Sequence, residues 1–183
     1  MKYYNNFGLA TDVLSQSART YLIDYFEENK KYYEKNYNLF KTWAQQIDYE
    51  DPMQVEMLSR VQKAAETAMR IKLLPVKNAN IVEYVEGSYA NGHVDDPAYS
   101  SVSVITMINL SQDLIGGEAY FAKNKESLEY HKMIPGPLEN GDSLMYGGSM
   151  YHGVEKILSG KRLVLITWFM EDHSDREVNE KTN

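Results

Sequence analysis

The chain has 183 residues, a formal net charge of −7 and no cysteine. That length suits one compact domain with a real core, and the acidic balance argues against a duplex nucleic-acid partner, which selects a basic face. The missing cysteines exclude disulfides, thiolate metal sites and cysteine nucleophiles. With 43% hydrophobic and 25% charged residues the composition is that of a soluble globular protein. No apolar run approaches the about 20 residues that span a bilayer. The start, MKYYNNFGLATD, has no signal-like apolar stretch. The expected setting is therefore cytoplasmic, with no membrane partner.

In chain order, Val13, Leu14, Ala18, Tyr21, Leu22, Tyr25 and Phe26 recur at helical spacing, with Thr11 or Asp12 as the expected cap. The polar stretch NKKYYEKNYN follows, and Phe40, Trp43, Ala44 and Ile47 predict a short second helix. Asp51-Pro52 is a clearer start signal, a cap residue followed by proline at the first helical position. The helix it opens carries Met57, Leu58, Val61, Ala64, Ala65, Ala68 and Met69 on one face and stops before Pro75.

From about Asn80 the pattern changes to short strand-like runs: IVEYV, VSVITMINL, EAYF, LEYHKMI, DSLMY and RLVLITWF. GSYANG, DDPAYSS, SQDLIGG, PGPLENG and GGSM separate them as turns. Many short strands without intervening helices predict a sandwich or barrel. The organisation expected is one domain: a helical region over 1–75, a β core over 80–170 and a polar tail over 171–183 that frays.

Only four histidines are present, at 93, 131, 152 and 173. His93 and Asp95 lie two apart, so on an extended strand both side chains point the same way. His152 stands far along the chain, before the apolar run RLVLITWF. Two imidazoles and one carboxylate on one face of a metal leave the opposite positions open, which suits non-haem Fe(II). Arg162 opens that apolar run, and an arginine buried there needs an anionic partner. The C5 carboxylate of 2-oxoglutarate is such a partner, matched by the guanidinium fork. His131 reads as a strand-face residue, His173 as a solvated tail residue, and Asp96 as a turn residue before Pro97.

The ordered series YVEGSYANGHVD, VSVITMINLS, IGGEAYF, IPGPLENGDSLMY and HGVEKILSGKRLVLITWF resembles the 2-oxoglutarate oxygenases of the prolyl 4-hydroxylase type, over roughly residues 80 to 170. The resemblance implies a double-stranded β-helix, or jelly roll, packed on N-terminal helices: an α+β, mainly β fold. It implies His93, Asp95 and His152 as iron ligands, and Arg162 as the holder of the distal carboxylate of 2-oxoglutarate. Lys161 is the rival for that role, but Trp168 stands six residues after Arg162, which is the family's spacing. Gly116-Gly117 and Gly141-Asp142 match turns before core strands, and Tyr84 matches a tyrosine of the cofactor pocket. In several members a tyrosine before the Asn-Leu pair also holds the distal carboxylate, and Thr106 is taken to stand there. Tyr89 and Tyr146 are candidates for the substrate side.

The cofactors so implied are Fe(II), with 2-oxoglutarate and O2 as co-substrates and ascorbate as a reductant. The first substrate expectation is a prolyl residue in a peptide or protein. A free amino acid or other small molecule is the alternative, as is a non-catalytic cupin-like metal-binding module.

Overall fold

The computed structural model describes residues 7–122, 124–126 and 138–174. Eleven strands and two helices lie among them: β1 (Phe7–Ala10), α1 (Gln16–Asn29), β2 (Lys31–Asn36), β3 (Leu39–Gln46), α2 (Pro52–Met69), β4 (Asn78–His93), β5 (Val102–Leu110), β6 (Ile115–Gly116), β7 (Ala119–Ala122), β8 (Ser143–Gly147), β9 (Tyr151–Val154), β10 (Ile157–Ser159) and β11 (Arg162–Phe169). The main sheet runs β1-β8-β5-β11-β4-β3-β2, while β9 joins the end of β4 to β7 and β6 pairs with β10. Every pairing is antiparallel. The long strand β4 belongs to both walls, pairing with β11 through Tyr84 and with β9 at Ala90 and His93. The sheet thus curls into a jelly-roll core, the barrel-like form of the strand pattern that the family resemblance implies.

The central strands are apolar on both faces because each face is covered. Leu163, Leu165 and Phe169 of β11 pack with Leu22 and Phe26 of α1 and with Met57, Leu58 and Val61 of α2. Val164 and Ile166, between them, point into the barrel with Val82, Ile105, Leu144 and Phe121. Runs such as RLVLITWF therefore lack polar alternation. Among the described residues no helix is long and apolar enough to cross a membrane.

Several boundaries depart from the sequence reading. The cap of α1 is Ser15, whose Oγ accepts from Ala18 N at 3.3 Å. Thr11 and Asp12 are displaced from that role because the N–H groups of Val13 and Leu14 donate to Gly141 O, tying this segment to the turn before β8. Asp51 caps α2 as expected, its Oδ1 accepting from Met53 N at 2.8 Å. The short helix expected over Phe40–Ile47 is instead β3, hairpinned with β2, which lies within the polar stretch NKKYYEKNYN. Pairing of Thr42 with Tyr84 and Ala44 with Val82 on the margin of β4 decides this, and the aromatic and β-branched residues of the hairpin fit a pleated surface.

GSYANG is not a turn but the C-terminal part of β4. The strand kinks at Gly87 (φ +85), and Ser88 Oγ accepts from Val85 N at 2.9 Å while donating to Lys41 O at 2.6 Å. The start of the tail is anchored: Leu74 N donates to Met170 O and Asp172 N to Lys72 O, both at 2.9 Å. The run LEYHKMI, with His131, lies outside the described residues.

Candidate metal centre

Strand register builds the cluster. His93 ends β4 and sits directly across from His152 on β9, with ring centroids 4.4 Å apart. Asp95 follows in the loop, held by its N–H donating to Gly148 O at 2.9 Å. Asp95 Oδ1 lies 3.8 Å from His93 Nε2, and Oδ2 lies 3.8 Å from His152 Nε2. One ligand atom from each residue falls within 4.8 Å of the others.

The tautomers follow from the backbone. His93 Nδ1 is 2.7 Å from Asn91 O and His152 Nδ1 is 2.8 Å from Met150 O. A carbonyl only accepts, so both Nδ1 atoms carry a proton, and both Nε2 atoms face Asp95. Burial pushes His152 down to about 4, against the opposing pull of Asp95. It is thus a neutral ligand at neutral pH. Two imidazoles, each with its Nδ1 set on a backbone carbonyl, and a carboxylate fit a divalent metal ion. His173 is remote from this site in role, exposed and 3.7 Å from Glu171.

Arg162 opens β11 and is 3% exposed. One of its terminal nitrogens donates to Gly117 O, and its Nε has no hydrogen-bond partner among the described residues. It lines a cavity of about 410 Å³ with Met107, Leu144 and Gly117. The metal cluster opens onto a larger cleft of about 850 Å³, which Tyr84 and Tyr146 also line. Tyr84, which lines the cleft, has its ring centroid 5.6 Å from the guanidinium carbon of Arg162, which lines the smaller cavity. Burial raises the Tyr84 phenol to about 12 against the pull of Arg162. Lys161, the rival cation, is exposed and turned to Glu83 at 3.1 Å.

Tyr146 packs beside the cluster, its ring 4.6 Å from that of His152. Tyr89 does not line the cleft and stacks instead on Phe40 at 4.5 Å, because the kink in β4 turns its neighbour Ala90 inward. Thr106 is also not brought to the site. Its hydroxyl pairs with Ser143 Oγ at 2.7 Å, and it lies between Ile105 and Met107, which do face the barrel. Met107 and Leu110 are the β5 residues at the cavity of Arg162.

Sequence reasoning missed Met107 and the hairpin residues Tyr33, Asn36 and Leu39 that wall the cleft. It also missed Ser103, whose Oγ donates to Asp95 Oδ2. The alternation of β5 offered a signal for Ser103, Ile105 and Met107 as one face, blurred by the apolar character of both faces.

No protein-family model matches the chain, and no curated protein does. Solved structures do. A prolyl-4-hydroxylase from Pseudomonas putida superposes with a TM-score of 0.67 at 16% identity, over 91% of this chain and 92% of that one. The fold is that of the 2-oxoglutarate oxygenases. A prolyl hydroxylase from Trichoplax adhaerens, solved with a peptide fragment of the hypoxia inducible factor oxygen degradation domain, gives 0.65 at 14% identity, over 95% and 87%. The non-heme alpha-ketoglutarate-dependent epimerase SnoN from nogalamycin biosynthesis gives 0.68 at 11% identity, over 90% and 77%.

Proposed function

We propose that this protein is an Fe(II)- and 2-oxoglutarate-dependent oxygenase that hydroxylates a prolyl residue of a peptide or protein. The observation that carries the reading is the pairing, inside one barrel, of the His93/Asp95/His152 cluster with a buried guanidinium whose Nε is unpartnered among the described residues. In this reading the triad holds iron and Arg162 holds the distal carboxylate of 2-oxoglutarate. Bound iron with 2-oxoglutarate supplies the oxidation: one oxygen atom of O2 goes to succinate, formed with CO2, and the other to a hydroxyl on the substrate carbon.

The chain's own groups bind, orient and exclude water. Backbone carbonyls of Asn91 and Met150 fix the imidazoles. Tyr84 and Tyr146 wall the space between triad and guanidinium. The open cleft, rimmed by the exposed Tyr37 and Tyr99, has room for an extended chain. A small-molecule substrate is the second reading, favoured by the shared fold with SnoN. A non-catalytic metal-binding module has no use for a buried cation in its own cavity.

The test is succinate formation from 2-oxoglutarate with Fe(II) and ascorbate, with and without a short proline-containing peptide. Stimulation that disappears when the proline is replaced by alanine supports the prolyl reading. An iron-dependent basal rate that no such peptide raises contradicts it and favours a small molecule.

A further inference from the structure

We infer that Ser103, backed by Ser100, is the positioning residue that sets the Asp95 carboxylate for its metal; this rests on the reading of the triad as a metal centre. Ser103 is fully buried and Ser100 nearly so. Ser103 Oγ meets Asp95 Oδ2 and, at 2.8 Å, Ser100 Oγ, and it also faces the phenol of Tyr146. An ionised carboxylate only accepts, so the single proton of Ser103 goes to Asp95. The Ser103 oxygen is then left to accept from Ser100. The chain has one direction: Ser100 donates to Ser103, and Ser103 donates to Asp95.

The backbone closes this chain into a ring. Ser100 is fixed by its N–H donating to Asp96 O at 3.0 Å. Gly148 lies flush against it: a Cβ there would sit 2.6 Å from Ser100 O and 2.8 Å from Ser100 Oγ. Gly148 O in turn accepts from Asp95 N, and Gly148 N donates to Ser101 O at 3.0 Å. Asp95 is therefore held at both backbone and side chain, while the loop that carries it has no strand of its own. Ser103 comes from β5, opposite Tyr146 of β8. The central sheet thus dictates the orientation of a ligand that lies outside it. Ser103 Oγ occupies Oδ2, and Oδ1 receives no hydrogen-bond donor among the described residues, which distinguishes the two oxygens toward a cation.

Outer hydrogen bonds to a ligating carboxylate typically carry about 10- to 100-fold in metal affinity. The probe is Co(II), titrated without oxygen or 2-oxoglutarate and read by calorimetry and visible absorption, so turnover plays no part. Ser103→Ala is expected to weaken Co(II) binding about tenfold and alter the spectrum, with Ser103→Thr restoring both. Ser100→Ala, acting through Ser103, is expected to cost about threefold. Thermal unfolding of each apo variant separates this from a packing role, which would lower Tm and leave affinity alone. Wild-type Co(II) affinity and spectrum in Ser103→Ala would overturn the inference and leave the metal centre standing. Failure of the wild-type chain to bind Co(II) would overturn the metal centre itself, and the inference with it.

Discussion

Replacing Arg162 with alanine is expected to weaken 2-oxoglutarate binding about 150-fold while metal binding persists. The guanidinium is buried, keeps one donor on Gly117 O, and leaves Nε without a partner among the described residues. Truncating one member of a buried charge pair costs roughly 2–5 kcal/mol, much of it from the charge left behind. Here the group left behind is a carboxylate on a ligand that remains in solution when unbound, so the lower half of the range applies. About 3 kcal/mol corresponds to the 150-fold stated. Lys161→Ala is the control: that ammonium is exposed and faces Glu83, so its loss is expected to change affinity less than about threefold. The assay is calorimetric titration of 2-oxoglutarate into the Mn(II)-loaded proteins without oxygen. An Arg162→Ala affinity within threefold of wild type, or an equal loss in Lys161→Ala, would refute the assignment.

Thr106→Val removes a buried hydroxyl and strands Ser143 Oγ; unfolding in urea should show a loss of about 1–3 kcal/mol, with the KM for 2-oxoglutarate unchanged. Met107→Tyr places a hydroxyl at the cavity of Arg162 and is expected to lower that KM about tenfold, measured by succinate release. Phe169→Ala empties a fully buried site between sheet and helices; about 3–5 kcal/mol and a fall in Tm of roughly 10 °C are expected by calorimetry, with residual activity retained below the new transition.

His93 and Asp95 were legible because their relation is local, two residues apart, although β4 ends at His93 and Asp95 stands in the loop beyond it. His152 and Arg162 were legible from their positions around one apolar strand. What failed was register. Thr106 and Met107 differ by one position on a strand apolar on both faces, so no in-out alternation marks which residue enters the barrel. A bulge where β11 meets β5, between Leu163 and Val164, shifts the count again. Phe40, Trp43, Ala44 and Ile47 mimic helical spacing, and only the neighbouring margin of β4 makes the first three a strand. Tyr89 was misplaced for a related reason: GSYANG has turn composition, yet Gly87 and Ser88 bend a strand instead of ending it.

The proposed function requires one barrel to hold a metal at His93, Asp95 and His152 and 2-oxoglutarate against Arg162. Anaerobic calorimetric titration of 2-oxoglutarate into the protein, with and without Fe(II), tests it directly. One saturable site that needs Fe(II) and disappears in Asp95→Ala is expected. Iron binding without any heat from 2-oxoglutarate would contradict it and leave a metal-binding barrel in place of an oxygenase.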